Sequence, residues 1–239
     1  MICSIHQPQT FPWLGYFAKI MQSDIFVFID NVQFKKNEWQ NRNKIRSHNG
    51  LQWLTTPIIH NFGQLINEVK INSTINWQNK HIQAIKTCYA KAPYFHLYFQ
   101  EIEEIYSSNW VYLSDFNIKT VHWIMDKIGI KTPTIISSEI KDLSCFPELS
   151  AEERLIAITK SVGADIYLSG AGGHNYLTTE LFPVNGIDLQ FQDFEHPRYN
   201  QLCDDFISHI SILDLILNEG PNSRQIIEGG TKCPSQLKK

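Results

Sequence analysis

Residues 25–29 form a run of five apolar side chains that lies between Asp24 and Asp30. Successive side chains of a strand point to opposite faces, so a strand made from this run must be covered on both faces, as in a parallel sheet. A second apolar run, residues 2–5, comes earlier, and residues 13–21 between the two have about the length of a crossover helix. These three segments predict a βαβ unit whose two strands are close parallel neighbours.

Polar side chains begin where the first predicted strand ends. His6 and Gln7 follow the apolar run directly. Pro8 and Pro12 remove backbone donors, which stops the sheet pairing and favours a helix that starts near Trp13. Open α/β sheets bind their ligands beyond the carboxyl ends of the strands. The sequence therefore predicts that function is encoded close to the N-terminus.

Strand and helix patterns continue along the chain. Residues 52–55 and 65–71 predict a third and a fourth strand. Apolar residues then recur at helical spacing through a helical insertion at about 77–130, which Pro93 and the polar residues 107–109 divide into about three helices. The fold class is therefore predicted as α/β with a helical middle segment.

The second half returns to alternating short strands and helices. Gly163 is expected at the C′ position of a helix, and Ser211 with Asp214 predicts a helix N-cap and a short capping box. Helix, glycine turn and strand in succession are typical of doubly wound folds. The predicted elements are strands at 134–136, 164–170 and 187–194, and helices at 152–162 and from Ser211.

Length and composition fit one domain. The 239 residues, of which 43% are hydrophobic, can bury a large core, and we interpret residues 1–239 as a single α/β domain. Its sheet is expected to be mostly parallel and doubly wound, Rossmann-like or HUP-like, with a frayed tail from about 229. A formal net charge of −3 argues against a general DNA-binding protein. With neither a signal peptide nor a membrane span in the sequence, a cytoplasmic location is predicted.

Cysteines and histidines show no spacing typical of metal or redox sites. The cysteines lack a C-x-x-C pair, so reduced thiols are expected. The nine histidines include no H-x-x-x-H or H-E-x-x-H pair, and no metal site is predicted. The five cysteines are Cys3, Cys88, Cys145, Cys203 and Cys233.

Residues 30–44 combine many amides and cations directly after the second predicted strand. Arg42 offers a planar fork for a carboxylate or phosphate, and Lys35 supplies a point charge. Gln33 and Asn43 offer both donors and acceptors. A solvated loop is the alternative for any one of these residues. The position of the whole cluster beside the first strand end favours binding of a sugar nucleotide or an anionic acyl donor.

A glycine-rich turn, residues 169–173, follows a later predicted strand. Gly170, Gly172 and Gly173 permit close backbone approach and positive φ, and such a turn can present amide donors to an anion at the start of the next helix. The spacing matches neither the dinucleotide fingerprint nor a P-loop, and a tight strand-to-helix turn is the alternative. His196, which follows another strand, is a candidate for the same cleft, with a surface turn as the equal alternative.

Several of these segments together resemble the WbqC-like protein family. The resemblance extends from the first residue to about position 220, and its N-terminal block is the most specific part. The segments that carry it are His6-Gln7-Pro8, residues 12–17, Lys19, Asp30-x-Val32-Gln33-Phe34, Asn41-Arg42-Asn43, Leu54-Thr55-x-Pro57, residues 167–173 and Ser211-x-Leu213-Asp214.

The resemblance implies an accessory protein of bacterial surface polysaccharide (O-antigen) synthesis. Such a protein would be an acyl- or aminoacyl-transferase or ligase that modifies the amino group of a nucleotide-linked sugar, with ATP or an acyl donor such as acyl-CoA. A non-catalytic sugar-nucleotide-binding or scaffold protein is the alternative. In the enzyme hypothesis His6 is the general base, while Lys35 and Arg42 hold the anionic substrate.

The candidate site residues are those of the shared blocks at the expected strand ends. The catalytic candidates are His6, Lys19 and Lys35. The substrate-binding candidates are Gln7, Asp30, Gln33, Arg42, Asn43, Ser169, Gly170, Gly172, Gly173, His174, Tyr176 and His196.

The opening strand, helix and strand also resemble, more distantly, the pantothenate synthetases and the wider nucleotidylyltransferase superfamily, which activate carboxylates with ATP. Residues 13–16 occupy the position of the superfamily's H-x-G-H signature. Gly15 is kept, but Trp13 and Tyr16 cannot supply the paired imidazoles. Either the chemistry has moved to other side chains, namely His6, Lys19 and Lys35, or only the architecture is shared.

Overall fold

A computed structural model describes residues 1–141, 148–203 and 205–232, and the backbone of 235–236. Cys145 and Cys233 lie outside the described residues. The strands are β1 (Ile2–His6), β2 (Ile25–Phe28), β3 (Arg42–Ser47), β4 (Gly50–Thr55), β5 (Ile58–Ile59), β6 (Lys70–Ile71), β7 (Thr134–Ile136), β8 (Ile166–Ser169), β9 (Asp188–Phe191) and β10 (Ser235–Gln236). The α-helices are α1 (Leu14–Met21), α2 (Trp77–Tyr89), α3 (Phe95–Ser107), α4 (Leu113–Lys127), α5 (Ala151–Ser161), α6 (Leu181–Val184), α7 (Ile212–Glu219) and α8 (Ser223–Gly229).

The main sheet has the order β10-β9-β8-β1-β2-β7, in which only β10 pairs antiparallel. The chain moves from β1 outward to β2 and β7, returns to the other side of β1 with β8, and continues to β9. Numbered along the chain, the five parallel strands have the order 5-4-1-2-3, which is the dinucleotide-binding order read from the opposite edge. The predicted doubly wound, Rossmann-like α/β fold is confirmed, and its topological switch point lies between β1 and β8.

The apolar run of β2 is covered on both faces, as predicted. Phe26 and Phe28 face one core, where they join Phe17 of α1. Val27 points the opposite way into a second core that includes Ile158 of α5. The five side chains named here, two from the flanking helices and three from β2, are all fully buried. The alternation of side chains along a strand thus divides the hydrophobic interior into two layers, one on each side of the sheet.

The helical middle segment is confirmed as α2, α3 and α4. Its stripes bury Ile85 and Tyr89 on α2 and Phe116 and Ile124 on α4, and all four join the larger core. None of the described helices is long and apolar enough to cross a membrane.

The strand predicted at 52–55 exists as β4, but it lies outside the main sheet. It pairs antiparallel with β3, which begins at Arg42 in the segment interpreted as a loop. Gly50, with φ 113°, closes the tight turn between the two strands. Ile45 and Leu54 bury one face of this hairpin against the larger core, which explains why the pair is stable away from the sheet.

Residues 65–71 do not form the predicted fourth strand. Ile66–Glu68 form a single 3₁₀ turn, and Lys70–Ile71 is a two-residue strand paired with β5. Ile66 and Val69 are both fully buried, and their spacing of three matches one turn of a 3₁₀ helix rather than the alternation of a strand.

Ser211 caps α7 as predicted, because its hydroxyl accepts a hydrogen bond from the backbone N–H of Leu213. Asp214 does not complete a capping box. Its buried carboxylate instead accepts hydrogen bonds from Tyr89, Tyr199 and Gln201. At the other end of the chain, β10 shows that part of the segment interpreted as a frayed tail is a strand at the edge of the sheet.

Tyr89→Phe should lower the free energy of unfolding by roughly 1–3 kcal/mol, because the Tyr89 hydroxyl donates to Asp214 Oδ1 and accepts from the Arg46 backbone N–H. Tyr98→Phe is the matched control, since Tyr98 is also buried, with 5% exposure against 0% for Tyr89, and its hydroxyl has no hydrogen bond within the described structure. Urea denaturation measures both variants. Equal losses in the two would contradict the importance of this network.

Candidate functional site

A cleft of about 490 Å³ opens at the carboxyl ends of β1 and β8, at the switch point of the sheet. This volume is within the range of small-molecule sites in proteins. Ten of the fifteen predicted site residues line it: His6, Gln7, Lys19, Gln33, Lys35, Ser169, Gly170, Gly172, Gly173 and Tyr176.

Lys19 extends from α1 into the floor of this cleft and is only 3% exposed. Its Nζ donates a hydrogen bond to the backbone oxygen of Ile5 at 3.1 Å. An ammonium group carries three N–H donors, yet no other acceptor and no carboxylate pairs with Lys19 among the described residues. The cleft therefore contains a buried cation with two unpaired donors.

Burial lowers the pKa of Lys19 to about 7. The charged form loses its hydration in the cleft, and no described carboxylate compensates. The ammonium and amine forms are thus both populated near neutral pH. An anion bound beside Nζ would favour the ammonium and raise this pKa.

His6 stands at the end of β1, where its Nδ1 lies 3.1 Å from the backbone oxygen of Gln7. A carbonyl oxygen only accepts, so the imidazole proton is on Nδ1 and Nε2 is left as an acceptor. Burial, and second the charge of Lys19, lower the pKa of His6 to about 3. The near-neutral pKa that the role of general base requires is therefore wrong for His6, which is a neutral hydrogen-bonding group in this cleft.

The cleft is basic although the chain as a whole is acidic. Lys35 lies exposed at its rim, and Arg154 of α5 contributes a third cation to the lining. No Asp or Glu is present among the described residues that line it. Ile29, Leu155 and other apolar side chains form much of the wall. This combination suits a ligand with an anionic group and an apolar or ring-shaped part.

The glycine-rich turn borders the cleft, but its glycines serve a different purpose from the one predicted. None of Gly170, Gly172 and Gly173 has a positive φ, and the following helix is only a short 3₁₀ turn, Ala171–Asn175. An added Cβ at Gly173 would lie 2.2 Å from Ser169 Oγ, whereas Gly170 and Gly172 face open space. Glycine is therefore required at 173 for packing.

Five of the predicted site residues lie outside this cleft because their side chains make other contacts. The Asp30 carboxylate accepts hydrogen bonds from Ser137 Oγ and from the backbone N–H and hydroxyl of Ser138. The Asn43 amide donates to the backbone oxygens of Thr10 and Phe11. The first interaction joins the segments that follow β2 and β7, and the second joins the segment before α1 to β3.

Arg42 and the two remaining histidines also lie outside the cleft. The Arg42 guanidinium stacks over Trp53 at 4.2 Å, which corrects its predicted role in the same cleft as His6. His174 stacks on Phe191 with 3.5 Å between ring centroids. His196 lies between Trp13 and Tyr199. Each of these side chains is positioned by an aromatic neighbour distant in sequence.

Arg154 is the cleft residue that the sequence did not reveal. It belongs to a helix of ordinary amphipathic pattern, and only the path of α5 past β1 and β8 brings it to the cleft. Within the described ranges, no group of three or more His, Cys, Asp or Glu side chains is arranged to hold a metal ion.

Comparison with known proteins identifies a family and one relative of this chain. Residues 7–226 match the WbqC-like protein family. The uncharacterized protein Rv1507c of Mycobacterium tuberculosis is 32% identical over 223 residues, which are 91% of this chain and 93% of that protein. No solved structure matches the chain.

Lys19→Met should stabilise the protein at pH 6.5. In the folded protein Lys19 loses its proton near pH 7, whereas the unfolded chain holds it to about pH 10.4, so the wild-type stability rises with pH above 7. The shift corresponds to roughly 4–5 kcal/mol, which is the upper limit of the gain at low pH. Chemical denaturation of the wild type and Lys19→Met from pH 6.5 to 8.5 measures this gain in stability.

Lys80→Met provides the control for this change, because Lys80 lies exposed on α2. Its stability should follow the wild-type pH dependence, while the Lys19→Met curve becomes flatter. A wild-type stability that does not rise relative to Lys19→Met between pH 6.5 and 8.5 would show that Lys19 has a counter-ion.

Gly173→Ala should cost roughly 1–3 kcal/mol of stability, because the new methyl group forces Ser169 out of its position. Gly172→Ala is the matched control in the same turn and should change stability by less than about 0.5 kcal/mol, since its Cβ position is open. Thermal and urea denaturation compare them. A neutral Gly173→Ala would mean that the turn is loosely packed.

Proposed function

The chain belongs to the WbqC-like protein family, and we propose that its switch-point cleft binds a nucleotide-linked amino sugar whose amino group the protein acylates or aminoacylates. The single observation that carries this proposal is Lys19, a buried cation with two unpaired donors and no described counter-ion. A buried charge of this kind is unfavourable unless a partner neutralises it. A phosphate or carboxylate of the substrate would supply that partner.

The diphosphate of a sugar nucleotide is the anion that best suits the cleft. Lys19 at the floor and Lys35 at the rim would contact it, and the apolar wall would cover the remainder of the ligand. Open doubly wound sheets bind nucleotides at this position. A free acyl donor with a phosphate or carboxylate group would use the same cations.

His6 would orient the amine of the sugar. In its neutral form Nε2 accepts a hydrogen bond, and an amine donates one. An amine becomes strongly acidic when it attacks an acyl carbonyl carbon, so Nε2 would take up the proton at that stage. A bound anion would also neutralise the charge of Lys19, which is the second cause of the low pKa of His6. The acyl group would come from acyl-CoA, whose thiolate would leave, or from a carboxylate activated by ATP, whose phosphate or AMP would leave.

A non-catalytic sugar-nucleotide-binding protein is the second candidate. The pKa of about 3 for His6 favours it, because so weak a base contributes little to proton transfer. Both candidates predict the same ligand in the same cleft. They differ in whether the ligand is converted.

Titration calorimetry with sugar nucleotides, ATP and acyl-CoA tests the proposal. We expect a sugar nucleotide to bind, and Lys19→Met to weaken that binding by more than about tenfold while keeping the fold. A ligase should also bind ATP, and a CoA-dependent transferase should bind acyl-CoA. Failure of every sugar nucleotide to bind the wild type would overturn the proposal.

His6→Asn separates the enzyme from the binding protein. Asparagine can still donate to the Gln7 carbonyl but lacks Nε2, so turnover should fall roughly 10²- to 10⁴-fold with the melting temperature nearly kept. His6→Gln places an amide near the Nε2 position and should retain the binding of substrate. Lost melting temperature with unaltered turnover would remove His6 from the mechanism.

A further inference from the structure

A second pocket of about 330 Å³ adjoins the cleft, and His6 lines both. The other residues around this aromatic pocket are Gln9, Trp13, Trp39, Asn43 and His209. Gln9 and Trp13 come from the N-terminal part of the chain, Trp39 and Asn43 from just before β3 and from β3 itself, and His209 from just before α7. Their chemistry differs from that of the cleft, because the pocket contains two indole rings and no lysine or arginine.

Gln9 is the residue that indicates a ligand in the aromatic pocket. Its side chain is nine-tenths buried and faces the pocket, yet its amide has no hydrogen-bond partner anywhere in the described part of the chain. The amide atoms remain accessible from the pocket, and an amide without a protein partner takes its hydrogen bonds from water or from a ligand. The Asn43 amide beside it is already occupied by the backbone oxygens of Thr10 and Phe11. Gln9 therefore offers two donors and an acceptor to whatever enters the pocket.

His209 shows that the opposite wall is held in an unfavourable conformation. Its φ of 58° is rare for a residue with a side chain, and it brings the imidazole onto Trp13 with 4.9 Å between ring centroids. Backbone strain of this kind concentrates at binding and active sites. The Trp13 indole also packs closely against Gly15, where an added Cβ would be 2.2 Å away from it. Trp13 is thus a closely packed wall of the pocket.

Resting on the proposed function, we propose that this aromatic pocket is the subsite for the amino-sugar ring of the substrate, with the diphosphate directed towards Lys19 in the adjoining cleft. Sugar hydroxyl and amine groups both donate and accept, as the free amide of Gln9 does. The C–H face of a pyranose is apolar and packs against an indole such as Trp39, which is 40% exposed. His6, shared by the two pockets, then lies beside the bond between sugar and phosphate.

The test compares UDP-, dTDP- and GDP-linked amino sugars, each with its own nucleoside diphosphate, by titration calorimetry. The wild type should bind at least one sugar nucleotide about tenfold more tightly than the matching diphosphate. In Gln9→Leu and Trp39→Ala the ratio of the affinity for the sugar nucleotide to the affinity for the diphosphate should fall towards one. The affinity for the diphosphate itself should change by less than about twofold. Gln22→Leu, the same replacement of an unpaired amide away from both pockets, should keep the preference.

Each of the other possible results overturns either the subsite or the proposed function. If Gln9→Leu and Trp39→Ala keep the preference for the sugar nucleotide, the ring binds elsewhere and the subsite is wrong, although the proposed function stands. If both variants weaken diphosphate binding and keep the preference, the pocket holds the base instead. If no sugar nucleotide binds the wild type, the proposed function and the subsite fall together. Unchanged melting temperatures would show that both variants remain folded, as expected because neither substitution removes a protein hydrogen bond.

Discussion

The parallel pairing of β1 with β2 on one side and β8 on the other is the constraint on which the rest of the structure depends. Because β1 is central, the chain leaves it in one direction and returns on the other, and this reversal leaves a gap beyond the strand ends. The cleft forms in that gap. The two cores, one on each face of the sheet, fix the strands that surround it.

The buried Lys19 gives the cleft its charge at the expense of folding stability. A fully apolar residue at position 19 would suit the core around α1 better than a lysine does. The lysine is instead held there by burial of its stem and one bond to a strand carbonyl. The proposed anion would offset this cost, and its binding would then be thermodynamically linked to folding stability.

The sequence predicts those parts of the fold that local patterns specify, and it misses those that depend on distant contacts. The apolar run of β2, the helical stripes of α2 to α4 and the cap at Ser211 are readable because period and capping chemistry are local. The β3–β4 hairpin is not, since amides and cations dominate β3 and its burial comes from the larger core. Gln9 and His209 lie about 200 residues apart in the chain and meet only in the folded pocket, so no spacing in the sequence could indicate this pocket.

The bond from Lys19 to the Ile5 carbonyl also means that this ammonium is preorganised. A long side chain usually loses rotamer freedom when it captures a ligand, and that loss subtracts from affinity. Lys19 has already lost this freedom during folding, whereas the exposed Lys35 must still be ordered at each binding event. If the proposed anion binds here, we expect the exposed Lys35 to speed its arrival and the preorganised Lys19 to slow its departure.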